Sequence, residues 1–207
     1  GAPVGILTAI YLVEYGRGKL AKSVSFAVDV LTGVPSIVAA LFVYALWVTT
    51  LGLQRVAFAV SLALVLLMIP VVVRSTEEML RLVPRDLREA SYALGVPKWL
   101  TIVKVVLPTA IAGITTGVML SISRVIGETA PLLITAGFTD SLNYNLFDGR
   151  MQTLPVFVYT QYANQGIPPE AYWDRAWAAA LTLILIVMLL NLIARIVAKV
   201  FAPKAGR

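Results

Sequence analysis

A charged pair, Arg124 and Glu128, stands inside an otherwise apolar stretch of the chain. The two residues are four apart, so a helix would bring both side chains to one face, where they can pair. A charge in the middle of a membrane costs at least about 2.5–3.5 kcal/mol on insertion scales, which favours a functional reason for keeping Arg124 there. The planar guanidinium group matches the oxygens of an oxyanion such as phosphate. The pattern predicts a site that holds an anion in transit.

Two interpretations of this pair remain open. In the structural one, Arg124 and Glu128 neutralise each other and hold a helix bundle together. In the functional one, Glu128 positions the guanidinium and keeps an anion from binding too tightly to leave, since a transport path needs both entry and exit. The hydroxyl-bearing residues Ser121 and Thr129 are grouped with the pair as candidate substrate-pathway residues.

Composition excludes several other kinds of site. The chain has no cysteine and no histidine, so disulfides, thiolate chemistry and imidazole metal sites are excluded. Its apolar stretches hold no cluster of paired carboxylates, so we predict no catalytic residue, no bound cofactor and no metal ligand, and a membrane-bound enzyme finds no support. There is no G-x-x-x-x-G-K-[ST] loop for nucleotide.

The same composition indicates an integral membrane protein. Hydrophobic residues make up 59% of the chain, charged residues 14%, and the mean hydropathy is +0.85. We expect an all-α bundle of membrane-spanning helices that forms a single domain over residues 1–207. The predicted segments are the end of a span at 1–14, an interfacial helix at 17–32, spans at 34–51, 56–73, 109–138 and 176–194, and a loop at 74–108. The helix at 17–32 could equally be a plain connection packed on the bundle.

The span that carries Arg124 has two further features. Gly113, Gly117 and Ser121 follow at four-residue steps, the spacing of small residues that lets membrane helices approach closely. Pro131 removes one backbone hydrogen bond, so we expect a kink beside Glu128.

Residues 84–108 predict two short helices joined by a turn. Small and apolar side chains recur at helical spacing in the first, at Leu87, Ala90, Ser91 and Leu94. Gly95 can take the left-handed conformation that ends a helix, and Pro97 suits the start of the next. Pro108 is expected to interrupt the second helix.

The basic residues predict the orientation. Of the 17 lysines and arginines, thirteen fall in the loop at 14–32, the loop at 74–108 and the tail from Arg195. The opposite side holds three, namely Arg55, Arg150 and Arg175. Cytoplasmic loops are enriched in basic residues, so we expect the 74–108 loop and the C-terminal tail to be cytoplasmic. The net charge of +6 then belongs to these loops rather than to a nucleic-acid surface.

The segment at 84–108 resembles the EAA loop of ABC-importer permeases, which reads EAA, three residues, G, nine residues, then I-x-L-P. The matching positions here are Glu89, Ala90, Ser91, Gly95, Val105, Leu107 and Pro108. The departures are Ser91 for alanine and Val105 for isoleucine. In that family the loop is the coupling helix that inserts into a groove on the ATPase subunit. The resemblance therefore implies coupling roles for Glu89, Ala90, Ser91, Leu94, Gly95, Leu107 and Pro108. The alternative is an ordinary amphipathic loop between spans.

A second resemblance narrows the family. R-x-I-G-E-T-A-P-L-L, at Arg124 to Leu133, is similar to the signature of phosphate-importer permeases, and the A-P-L-L continuation is closer to the PstA-type subunit than to its PstC-type partner. M-Q-T-L-P-V-F-V-Y at 151–159 and P-x-G-I-L-T-A-I-Y-L-x-E-Y at 3–15 fit the same subunit. The family has six spans, and the resemblance implies that the first and most of the second would precede residue 1.

This resemblance implies a MetI-like fold of the type I importer class and a multi-pass protein of the prokaryotic inner or plasma membrane. It implies a permease subunit of an ATP-driven phosphate importer, working with a PstC-type second permease, two copies of an ATP-binding subunit and an extracytoplasmic phosphate-binding protein. ATP and Mg would be used by the partner subunit. Partners of the chain itself would include membrane lipid but no nucleic acid. We expect the aromatic stretch at 139–173 to dock the binding protein, although an aromatic belt at the membrane interface would look the same.

Two other functions remain open. A permease of the same fold could carry sulfate or molybdate, because Arg124 alone would not distinguish these oxyanions. A secondary transporter or channel without an ATPase would need a coupling-ion site, for which Glu128 is the deeply placed carboxylate.

Overall fold

The computed structural model describes residues 1–201, which form nine helices and no strand. In chain order they are α1 Ala2–Tyr15, α2 Gly18–Gly33, α3 Ser36–Thr50, α4 Ala57–Leu82, α5 Arg85–Ala93, α6 Lys98–Ile126, α7 Ala130–Thr135, α8 Leu154–Ala163 and α9 Glu170–Phe201. The all-α prediction is confirmed for these residues. Lys204 and Arg207 of the predicted basic tail lie outside the described residues.

Three of the described helices, α4, α6 and α9, are each long and apolar enough to span a membrane. The number rises to four if α2 and α3 count together as one broken span. On its own α3 is shorter than the roughly 20 residues that a crossing needs, although 34–51 was predicted as a span. Helix α4 continues to Leu82, so residues 74–82 are helical where the sequence predicted a loop.

The chain divides into two compact units. The first comprises Gly1–Thr32, Met68–Ile122 and the end of the chain from Leu190, and the second comprises Gly33–Leu67 and Ser123–Leu189. The core of the first unit lies where α1, α2, α4 and α6 meet. Its buried side chains include Ala9, Val28, Val73, Leu80, Val83, Val106, Ala110 and Ile114.

Close packing of α6 on α4 in the first unit depends on two glycines. A Cβ added at Gly113 would collide with the side chain of Met79, and one added at Gly117 would lie 2.6 Å from Ser75 Cβ. The predicted small-residue contact is therefore confirmed, and it excludes larger side chains at both positions.

Helix α6 passes through Pro108, so the predicted interruption there is wrong. The turn Ile102–Val106 just before it is a π-helix, in which the N–H of Leu107 donates to the carbonyl of Ile102, five residues back. A π turn is wider than an α turn and accommodates the proline ring without ending the helix.

The core of the second unit forms around the first half of α4 and helix α7. Val60 of α4 packs with Leu132 of α7, with Ala136 just after that helix and with Val156 of α8. Helix α3 lies against α7. Val43 of α3 joins a neighbouring cluster with Val56, Ala59 and Ala63.

Where one span was predicted at 109–138, the structure has two helices. Helix α6 ends at Ile126, residues 127–129 are not helical, and α7 begins at Ala130. Pro131 stands in the first turn of α7, where its missing N–H would have had no helical partner in any case. The proline therefore starts a helix, and a full break replaces the expected kink.

Candidate functional site

The turn between α5 and α6 has the geometry of a Schellman motif. Gly95 has φ +75, its N–H donates to the carbonyl of Tyr92 at 2.9 Å, and the N–H of Val96 donates to Ser91 O at 3.2 Å. Pro97 stands just before the first residue of α6. The predicted left-handed ending at Gly95 is confirmed, and this turn fixes the angle between α5 and the start of α6.

Ser91 braces this turn from the inside. Its side chain is buried, and its hydroxyl shares a hydrogen bond of 2.8 Å with the hydroxyl of Thr101, which is also buried. The sequence grouped Ser91 with the coupling residues of α5. The structure turns it inward, so it supports the shape of the segment rather than its surface.

A buried ion pair ties α5 to α1. Arg88 Nη2 lies 2.9 Å from Glu14 Oε1, and the two side chains are only 16% and 6% exposed. The same guanidinium donates to the carbonyls of Val83 at 2.6 Å and Leu80 at 2.9 Å. Arg88 therefore also satisfies carbonyls at the C-terminal end of α4, which lack partners within the helix. Lys98 donates to the backbone carbonyl of Glu14.

This network was not predicted from the sequence. The sign of it in the sequence is an acidic residue, Glu14, at the end of an apolar run, because an acid in such a place needs a basic partner. Arg74 of α4, which hydrogen-bonds Ser25 and Asp29 of α2 and Glu77 of its own helix, was not predicted either. Because of these contacts, α2 is anchored to α4 by charge as well as by Val28 in the core.

The outer surface of the coupling segment remains free in the described chain. Leu94 is 84% exposed, and Glu89 and Ala90 are exposed beside it. Of the remaining predicted coupling residues, Leu107 is half-buried and Pro108 is exposed. The segment thus presents an exposed leucine at the end of α5, beside the turn at Gly95.

The charged pair in the second unit is held much more loosely. Arg124 Nε lies 3.9 Å from Glu128 Oε1, at the outer limit of an ion pair, and the side chains are 57% and 18% exposed. Arg124 is in the last turn of α6, and Glu128 follows in the break, where its N–H donates to Val125 O at 3.2 Å. Because the helix has ended, the pair lacks the regular four-residue geometry that the sequence predicted.

The two hydroxyl residues grouped with this pair lie in different settings. Ser121 is 1% exposed, and its hydroxyl donates to the carbonyl of Val118 at 2.6 Å. It belongs with Gly117 to the buried face of α6. Thr129 is half-buried in the break beside Glu128. The structure therefore brings Thr129 and Glu128 together and leaves Ser121 in the packing.

The fold is that of a known transporter class. A solved structure of the MetNI methionine ABC transporter, in inward facing conformations, superposes with a TM-score of 0.73 and 20% sequence identity. The match covers 97% of this chain and 85% of the other. A second crystal form of the same transporter superposes with a TM-score of 0.71. The predicted ABC-importer permease fold is confirmed.

The sequence defines the family. The model for the binding-protein-dependent transport system inner membrane component matches residues 1–207, and the chain belongs to this family. It is thereby a multi-pass membrane protein, as the apolar helices indicate.

The relatives with curated names include PstA-type permeases. "Phosphate transport system permease protein PstA 1" of Mycobacterium tuberculosis strain H37Rv is 59% identical over 195 residues, which cover 94% of this chain and 62% of the relative. PstA of Mycobacterium leprae is 61% identical, with 92% and 62% covered. PstA of Pasteurella multocida is 45% identical, with 95% and 69% covered. The resemblance to PstA-type permeases is confirmed, and the chain spans less than two thirds of the length of the mycobacterial relatives.

Proposed function

We propose that this chain is the membrane-spanning permease subunit of an ATP-driven importer of inorganic phosphate, a transport subunit rather than an enzyme. The observation that carries the proposal is the state of Arg124. More than half of its side chain is exposed, and its ion pair with Glu128 is 3.9 Å long, so the guanidinium has donors left for an incoming oxyanion. The PstA names of the relatives support phosphate as that oxyanion.

The coupling segment, residues 84–108, would transmit movement of the ATPase subunit to the membrane helices. Helix α5 would dock on the ATPase subunit, which would bind ATP and Mg, with residues 74–108 and the C-terminal tail on the cytoplasmic side. Helix α6 begins three residues after Gly95 and carries Arg124 near its other end, 29 residues in all. A helix of this length spans about 43 Å and transmits a displacement of its first turn along its axis. Closure of the ATPase would thereby re-orient the guanidinium.

The remaining partners follow from the same function. A PstC-type second permease would complete the path, two copies of the ATP-binding subunit would bind below, and an extracytoplasmic phosphate-binding protein would deliver the substrate. In residues 139–173, Tyr144 and Phe147 are 86% and 68% exposed, which supports a docking surface for that protein.

Substrate identity is tested by competition. Uptake of labelled phosphate would be measured in cells that carry the full-length protein with its partners, with sulfate and molybdate as competitors. The proposal expects saturable phosphate uptake that excess sulfate or molybdate leaves unchanged. Competition by either oxyanion would point to a permease of broader or different substrate, and uptake that persists after inactivation of the ATPase would point to a secondary transporter.

The docking role of α5 is tested at Leu94. Leu94→Glu places a charge on a side chain that is 84% exposed, so it should leave folding unchanged and weaken co-purification of the ATPase subunit about ten-fold or more. Leu142→Glu is the matched control, since Leu142 is 87% exposed in the loop after α7 and should leave co-purification intact. Full retention of the ATPase subunit by the Leu94 variant would remove the docking role from this residue.

A further inference from the structure

Two arginines of the second unit converge at Gly137, the second residue after the end of α7. The point where a Gly137 Cβ would stand lies 3.7 Å from Arg150 Nε and 3.9 Å from Arg55 Nη1. Gly137 has φ +72, a backbone conformation that residues other than glycine rarely adopt. A side chain at this position would therefore contact both arginines.

Neighbours in the second unit hold the side chain of Arg55 and the backbone at Arg150. Arg55 is half-buried; its Nη2 donates to the Tyr44 hydroxyl at 3.0 Å, and its guanidinium lies 5.0 Å from the centre of that ring. The backbone of the loop that carries Arg150 is fixed by Asn143, whose Nδ2 donates to Arg150 O at 3.1 Å and to Asp148 O at 2.7 Å. One guanidinium is therefore fixed, and the other extends from a fixed stretch of backbone.

These arginines also lack an acidic counterpart. Within residues 1–201, Arg74 and Arg88 are paired with carboxylates, whereas no carboxylate lies in ion-pair distance of Arg55 or Arg150. Two like charges converging on one point repel each other, and an anion between them would relieve that repulsion. Asp140 and Asp148 are exposed acids of the same loop and pair with neither arginine.

We infer that Arg55 and Arg150 form an oxyanion-binding station for inorganic phosphate, separate from Arg124. Gly137 is buried, Arg55 is half-buried and Arg150 is exposed, so an ion can approach the two guanidinium groups from the Arg150 side. Glu128 precedes α7 and Gly137 follows it. The six-residue helix between them is about 9 Å long, so the station is distinct from the charged pair of Arg124 and Glu128. Arg55 and Arg150 lie opposite the predicted cytoplasmic loops, so the station would be on the side from which phosphate enters, a placement that rests on the proposed function.

Chemical modification of arginine can detect phosphate bound at this station, and it does not require a transport measurement. The complete importer, purified in lipid nanodiscs, would be treated with phenylglyoxal in phosphate or in chloride of equal ionic strength, and modified residues would be mapped by mass spectrometry. We expect phosphate to slow modification of Arg55 and Arg150 about ten-fold when the site is about nine-tenths occupied. Arg175 is the matched control, because it also lies over a tyrosine ring, 5.3 Å from that of Tyr172, and should react equally in both buffers.

The possible results distinguish a failure of the station from a failure of the proposed function. Equal reaction rates at all three arginines in the two buffers would overturn the station, even in an importer that carries phosphate. Protection of Arg55 and Arg150 by the binding protein but not by phosphate would also overturn it, because the pair would then hold a partner's carboxylates. Protection by phosphate in a protein that transports no phosphate would leave the station standing and remove the transport assignment.

A variant pair gives the functional arm of the test. Arg150→Gln should reduce phosphate uptake about ten-fold, with ATP hydrolysis stimulated by the binding protein unchanged, and Arg150→Lys should restore part of the uptake because the charge is retained. Arg150 is exposed, so neither change should affect folding. Normal uptake in Arg150→Gln, or a parallel loss of stimulated ATP hydrolysis, would contradict the proposal.

Discussion

The coupling segment and the charged pair at the end of α6 differ in how tightly their charges are held. In the coupling segment, Arg88 is 16% exposed, lies 2.9 Å from Glu14 and donates to two further carbonyls. At the break, Arg124 is 57% exposed and lies 3.9 Å from Glu128. The difference agrees with the proposed roles, because a segment that transmits movement has to keep its shape, whereas a group that binds and releases an ion has to exchange partners. Arg88 is therefore buried and closely paired, whereas Arg124 is exposed and loosely paired.

The physical cause of the difference lies in burial. A buried ion pair in low dielectric interacts strongly, and removal of one partner leaves an uncompensated charge that costs about 3–5 kcal/mol. An exposed pair contributes about 0–1 kcal/mol, since water screens both charges. The comparison therefore predicts large effects on stability in the first region and small ones in the second.

The largest expected effect on stability is that of Arg88→Ala. Glu14 is 6% exposed and would lose its partner, so the free energy of unfolding should fall by about 3–5 kcal/mol. Arg85→Ala is the control, because Arg85 is exposed at the start of the same helix and should change stability by less than about 0.5 kcal/mol. Unfolding of the detergent-solubilised protein measures both. Equal losses in the two variants would mean that the buried pair of Arg88 and Glu14 does not stabilise the coupling segment.

Gly95→Pro is expected to rank next. Proline requires φ near −65, whereas Gly95 has φ +75, and proline has no N–H to donate to Tyr92 O. The turn should lose about 3 kcal/mol, and ATP hydrolysis should become uncoupled from transport while assembly remains possible. Gly33→Ala is the control, since Gly33 has no positive φ and nothing within 4 Å of an added Cβ. Phosphate carried per ATP hydrolysed is the measurement, and an unchanged ratio in Gly95→Pro would contradict the coupling role.

Ser91→Ala should have a smaller effect that depends on its partner. The change removes the 2.8 Å partner of the buried Thr101 hydroxyl, which keeps only a 3.4 Å bond to Pro97 O, and should cost about 1 kcal/mol. Adding Thr101→Val removes the second polar group and should restore much of the loss, because two apolar groups of similar shape need no hydrogen bond. A double-mutant cycle measures this coupling. Additive losses would mean that the hydrogen bond does not brace the turn.

The turn and the helix contacts were predictable because their causes are local. A glycine at the end of an amphipathic helix is enough to indicate a left-handed residue, and glycines at four-residue steps are enough to indicate close helix packing. Gly95, Gly113 and Gly117 behave in this way in the structure. The EAA-like spacing likewise depends on nearby residues alone.

What the sequence did not predict depends on distant partners and on competition between local signals. Nothing near Glu14 indicates a partner at Arg88, 74 residues along the chain. Pro108 and Pro131 carry the same local signal, yet α6 passes through the first, by way of a π turn, and ends before the second. The inward turn of Ser91 depends on Thr101, and the convergence of Arg55 with Arg150 depends on the loop after α7.

The central claim, that Arg124 belongs to the transport path, is tested most directly by Arg124→Gln in the full-length protein. Phosphate uptake by cells would be measured in parallel with assembly in the membrane. The weak, exposed ion pair predicts that stability changes by less than about 1 kcal/mol and that assembly is normal while uptake is lost. Normal uptake with normal assembly would contradict the claim and reduce Arg124 to a structural charge.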